Sequence, residues 1–134
     1  MDNTNVMVKF SICGDEFNPQ IITNQLNIHP QEYWLKGDNV SGKSIIRNKS
    51  CWRVSTGYQE SLDINNQLNE IIEPFRGRSD KLIELMLVHN LEIIISIVIN
   101  IEGNQKTAMY FNRQVIKFIY QINAEIDIDL YVYS

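Results

Sequence analysis

The apolar positions of this chain change period several times, and each change marks an element. Val6, Val8, Phe10 and Ile12 recur at every second residue, which predicts a strand with one buried face, ended by Gly14-Asp15. Asn18-Pro19 then reads as a helix start, because Asn satisfies free backbone amides and Pro fits the first turn without wasting a donor. Ile21, Ile22, Leu26 and Ile28 supply the apolar stripe of that helix. It must stop before His29-Pro30, since the residue preceding Pro disfavours the α conformation.

Tyr33-Trp34-Leu35 begins a short extended piece, and Gly37-Asp38-Asn39 marks a turn. From Ile45 to Thr56 the β-branched and aromatic content returns, with Trp52, Val54 and Thr56 on one face. The pattern predicts a strand there, in a hairpin with the piece around Trp34. Leu62, Ile64, Leu68, Ile71 and Ile72 recur at helical spacing up to Pro74. Ser79-Asp80 opens a second helix carrying Leu82, Ile83, Leu85 and Met86, with Asn90 as its end signal.

Leu91 to Ile101 is apolar at every odd position and gains Ile94 and Val98 on the other face, which predicts a central strand. After a Gly103-Asn104 turn, Asn112 caps a helix expected to turn Val115, Ile116, Ile119 and Ile122 inward. The last pattern sets Ala124, Ile126, Ile128, Leu130 and Val132 against Glu125, Asp127, Asp129, Tyr131 and Tyr133, a one-sided strand of clear register.

Phe17-Asn18-Pro19-Gln20-Ile21-Ile22 matches Phe111-Asn112-Arg113-Gln114-Val115-Ile116, and each copy follows a strand, opens a helix and leads to another strand. The expected fold is α+β: a largely antiparallel sheet with helices packed on one face. Two pseudo-repeated strand–helix–strand units make it up, with an inserted hairpin and helix pair between them, in a single domain over residues 1–134.

Composition then bounds the function. With 44% hydrophobic and 21% charged residues the usage is that of an ordinary globular domain. The polar start Met1-Asp2-Asn3-Thr4-Asn5 lacks the features of an export signal, and the run Ile93–Ile101 is too short to span a bilayer, so a cytoplasmic protein with no membrane partner is expected. Cys13 and Cys51 are accordingly expected as two buried thiols. A net charge of −4 argues against nucleic-acid binding, which relies on basic surface to release counterions. Twenty-one isoleucines and fifteen asparagines against two alanines match the coding bias of an AT-rich genome, which points to a low-GC bacterium.

Candidate chemistry is sparse. Gly37-Asp38-Asn39-Val40-Ser41-Gly42-Lys43-Ser44 fits the phosphate-loop pattern G-x-x-x-x-G-K-S, yet that motif works only between a buried strand and a helix. Here the following segment reads as strand, so a polar hairpin loop is the expected structure. Glu125, Asp127 and Asp129 share one face of the last strand, as a hard-cation site or as a solvated strand face. His29 and His89 have no companion that would make either a general base. No catalytic residue, metal or cofactor is assigned. The aromatic and polar cluster of Trp34, Lys36, Asp38, Trp52, Arg53, Tyr58 and Glu60 is the candidate interaction surface, because Trp, Tyr and Arg dominate interface hot spots. The alternative is that both tryptophans anchor the core, where large aromatics contribute most.

Phe10-Ser11-Ile12-Cys13-Gly14-Asp15-Glu16-Phe17, Trp34-Leu35-Lys36-Gly37-Asp38, Trp52-Arg53-Val54-Ser55-Thr56-Gly57-Tyr58, Glu60-Ser61-Leu62-Asp63 and the closing Ala124–Val132 resemble, in the same order, a bacterial family known as domain of unknown function 4279. The resemblance implies a small bacterial cytosolic α+β domain and brings no catalytic residues with it. Three readings follow. The leading one is a non-enzymatic protein-binding module, in its specific form an immunity protein against a basic toxin domain. The others are a metal- or nucleotide-binding enzyme using the acidic strand or the Gly-rich loop, and a structural homodimer joined through an exposed sheet edge.

Overall fold

β1 (Asn5–Gly14) takes the middle of the sheet, with both of its edges paired and its even-numbered face buried. It pairs antiparallel with β3 (Ser50–Ser55) on one side and with β5 (Glu92–Ile101) on the other. The computed structural model describes residues 3–133. Around that centre the strand order is β2-β3-β1-β5-β6, where β2 is Glu32–Trp34 and β6 is Glu125–Val132. A two-residue strand, β4 (Gln59–Glu60), also pairs with β1. Four pairings are antiparallel, and only β5 with β6 runs parallel.

The two strand–helix–strand halves differ in how far their outer strand lies from their inner one. In the second half β5, α4 (Arg113–Gln121) and β6 form a crossover between adjacent parallel strands. In the first half β1, α1 (Gln20–Leu26) and β2 make the same sequence of elements, but β3 lies between the two strands. β2 still runs in the same direction as β1, since each is antiparallel to β3. Asn18 and Asn112 each accept a backbone N–H at a helix start, Asn18 from Gln20 two residues on at 3.0 Å and Asn112 from Val115 three residues on at 2.9 Å. α1 ends two residues earlier than its apolar stripe suggests: Asn27 takes the left-handed conformation, and Ile28 packs from the loop.

The inserted segment carries α2 (Ile64–Ile72), continued by a short 3₁₀ turn, and α3 (Ser79–His89). Asp63 caps α2 by accepting from the Asn65 N–H, so Leu62 falls before the helix and stays exposed. All four helices contribute to one core against the even-numbered face of β1 and the odd-numbered face of β5. Val6, Val8, Phe10, Ile93, Ile95 and Ile97 there are 0–1% exposed, and each such side chain stabilises the fold by about 1.5–3 kcal/mol. Phe75 closes the core, stacked on Phe10 with centroids 4.1 Å apart and edge-on to Trp52 at 6.1 Å.

Three local expectations are corrected. The strand expected from Ile45 begins at Ser50; Ile45 and Ile46 are exposed in the loop before it. On α4 the inward stripe is Val115, Phe118, Ile119 and Ile122, at i, i+3, i+4 and i+7, which rotates Ile116 to the surface. Cys13 and Cys51, expected as two thiols, sit directly opposite each other on β1 and β3 with Cα atoms 4.2 Å apart, and the structure joins them in a disulfide. That separation is what a facing, non-hydrogen-bonded antiparallel pair provides.

Candidate functional site

The aromatic and polar cluster around the hairpin does not converge. Trp52 and Arg53 are neighbours on β3, so they point to opposite faces of the sheet. Trp52 enters the core with no exposed surface, its indole N–H donating to Thr23 Oγ1 at 3.1 Å, and is not part of any surface. Arg53 lies on the other face, where its Nε donates to Ser11 Oγ and its Nη1 to Glu32 Oε1, both at 2.8 Å. Trp34 is beside it, half-buried between the guanidiniums of Arg53 and Arg47, whose Cζ atoms lie 4.8 and 3.9 Å from the ring centroid. These cation–π contacts occupy the indole from within the chain.

Lys36 and Asp38 serve the adjoining loop. Lys36 Nζ pairs with Asp15 at 3.1 Å, and Asp38 Oδ2 accepts from the Leu35 N–H at 2.8 Å. Tyr58 and Glu60 belong to the other end of the sheet: Glu60 faces Asn5, while Cys51, beside Trp34, faces Cys13. Eight residues of strand separate those points, about 26 Å. The phosphate-loop lookalike is a small hairpin closed by Gly37 N–H to Arg47 O and Val40 N–H to Ile45 O. Neither a buried strand before it nor a helix after it is present, so the context a phosphate cradle needs is missing.

The outer face of the sheet, opposite the helices, is a polar mosaic with Lys9 near its middle, between Ser55 and Ser96. Burial holds the Lys9 amine below its ordinary value and the nearby Arg53 adds to the effect, while Glu32 and Asp129 oppose it. Farther along, Lys49 Nζ meets Glu92 Oε1 at 2.6 Å, and that hydrogen bond raises the lysine's pKa.

The most unusual surface is β6. Its acids Glu125, Asp127 and Asp129 stand in register with Ile94, Ser96 and Val98 on the outer face. Along the strand these positions stand about 6.6 Å apart from one acid to the next. Among the described residues no cluster of His, Cys, Asp or Glu is placed to hold a metal. On the opposite face Ile126, Ile128, Leu130 and Val132 remain 41, 47, 49 and 68% exposed, although their alternation marks them for burial. A groove of about 270 Å³ between α4 and β6, lined by Phe111, Ile116, Ile119, Tyr120 and Ile126, continues this apolar surface.

β6 also has a free edge. Its Tyr133 N–H donates to Ile101 O at 2.8 Å, while Ile101 is in register with Val132. This phase of the parallel ladder turns the odd-numbered backbone groups toward β5. It leaves the N–H and C=O of Ile126, Ile128 and Leu130 directed off the sheet. The alternating pattern told which face of β6 is apolar; only the position of the helices shows that nothing covers it.

No helix among the described residues is long and apolar enough to cross a membrane. No curated protein and no solved structure matches the chain. The family model described as "Domain of unknown function (DUF4279)" matches residues 3–133. A match that runs across both strand–helix–strand halves and the insertion between them places the whole α+β domain, and not a fragment of it, in the DUF4279 family.

Proposed function

We propose that this domain is a non-enzymatic protein-binding module and that its partner docks on β6. The supporting observation is the exposure of all eight residues of β6, half of them Ile, Leu or Val, in a protein whose other long strands are buried. An apolar strand face that the chain itself leaves uncovered is the ordinary mark of an interaction surface. The row of acids on the other side of the same strand favours a basic partner. A toxin domain neutralised by an immunity protein is the specific form of this reading, and it rests on that charge pattern.

Coexpression with the products of neighbouring genes tests the proposal. A stable complex is expected with the wild-type chain. It is expected to be lost with Ile128→Asp, which places a charge on the apolar face, and kept with Tyr58→Ala, which lies beyond β1 and β5 from β6. A complex insensitive to Ile128→Asp but lost with Tyr58→Ala would move the docking surface away from β6.

A further inference from the structure

We infer that β6 accepts, as an added strand, an extended segment of another protein in which Lys or Arg alternates with apolar residues. The inference rests on the docking surface proposed above and specifies what that surface binds. The off-sheet N–H and C=O groups of Ile126, Ile128 and Leu130 supply the ladder. A strand laid along them continues both faces of the sheet. Its side chains on the helix side meet the exposed Ile126, Ile128 and Leu130, and those on the outer side meet Glu125, Asp127 and Asp129.

Charge selects the occupant. Five ion pairs occur among the described residues, and none engages Glu125, Asp127 or Asp129. Lys9 and Lys49 act on Asp129 and Glu125 only from beyond ion-pair distance, so an incoming cation can still pair with these carboxylates. A second copy of the chain is the poorer fit. An antiparallel pair centred on Ile128, which engages the whole strand, sets Asp127 directly opposite Asp129 of the second copy, and like charges facing each other across a ladder repel. The same acids thus discourage self-pairing while rewarding a basic strand, which is how specificity is built from one attractive and one repulsive element. Apart from these acids the usual defences of an edge are missing: β6 contains no Pro and no Lys, and its register with β5 runs without a bulge.

The test uses the full chain and short synthetic peptides followed by amide chemical shifts. A peptide alternating lysine and valine is expected to shift the β6 resonances in a saturable way. A glutamate–valine peptide and a peptide with the same lysines and valines in two blocks are each expected to bind about tenfold more weakly or worse. Ile128→Pro removes one off-sheet donor and spares the ladder to β5, so it is expected to weaken binding by about tenfold. Should that variant unfold, N-methylation of the peptide along its pairing edge removes the same ladder from the other side. Asp127→Lys with Asp129→Lys is expected to reverse the preference toward the glutamate peptide.

Equal binding of the alternating and block peptides would overturn strand addition, leaving only diffuse charge attraction. Equal binding of a threonine–valine peptide, with shifts confined to β6, would overturn the basic chemistry and leave docking on β6 standing. If no peptide shifts β6 while a coexpressed partner still depends on Ile128, strand addition fails and the docking surface survives. Light scattering that shows a stable dimer dissociated by Ile128→Pro would assign the edge to a second copy instead.

Discussion

β2 and β6 are the two ends of one sheet, each reached by a helix that opens on the same Phe-Asn-x-Gln signal, and they meet solvent differently. β2 has three residues, and its Trp34 is covered by two arginines of its own chain. The hairpin from Gly37 to Arg47 leads away from it and returns to β3. β6 has eight residues and a regular register, and none of the ion pairs among the described residues engages it. A short, shielded strand ends a sheet safely; a long apolar one left open invites another strand. In the first half β3 lies between β1 and the short outer strand β2, whereas in the second half the long outer strand β6 lies directly beside β5.

That contrast can be broken most strongly in the core. Trp52→Ala, on the β2 side, is expected to cost about 3–5 kcal/mol, whereas Ile128→Ala on β6 is expected to cost well under 1 kcal/mol. Urea unfolding of both variants measures the difference, and similar losses would mean that β6 is buried in solution. The disulfide comes next. Residues 13 and 51 are separated by 38 positions, so cutting the link with Cys13→Ser and Cys51→Ser is expected to remove about 3–4 kcal/mol through the freed unfolded chain. A thiol count on the denatured protein, with and without reductant, checks that the bond is present.

The two helix starts give a smaller, sharper comparison. Asn112 also ties its backbone N–H to Asn65 Oδ1 at 3.2 Å in a part-buried setting, while the Asn18 cap is exposed. Asn112→Ala is expected to cost about 1–2 kcal/mol and Asn18→Ala nearer 0.5 kcal/mol, read as shifts in Tm. Equal losses would mean that burial adds nothing to the cap.

The smallest effect concerns Lys9, which lies between the two edges and feels Arg53 of β3 on one side and Asp129 of β6 on the other. Its depressed pKa means that the folded protein holds that proton less tightly than the unfolded chain. The resulting penalty is fully present below the folded value and disappears as pH rises through the ordinary 10.5. Lys9→Met is therefore expected to raise Tm at neutral pH, with the gain fading in alkaline buffer. A constant gain across that range would assign it to the methionine's packing.

The alternations of β1, β5 and β6 were legible in the sequence because strand periodicity survives any environment, and the hairpin of β2 with β3 followed from its flanking turns. Ile45 and Ile46 misled because β-branched residues in a loop look like the start of a strand. Trp52 and Arg53 were grouped as one surface by residue type, although adjacent strand positions always point apart. The Cys13–Cys51 contact depends on the register of two distant strands, which composition does not encode. The bareness of β6 was hidden for a related reason: a one-sided pattern specifies which face is apolar and says nothing of what lies above it.

The phase of the β5–β6 ladder has a consequence for amide hydrogen exchange. Along β6 the N–H groups of Asp127, Asp129 and Tyr131 are held by β5, and those of Ile126, Ile128 and Leu130 face water. Exchange along β6 should therefore alternate between slow and fast from one residue to the next. Any strand that joins the edge would slow the fast set, so this strand carries a residue-by-residue record of its own occupancy.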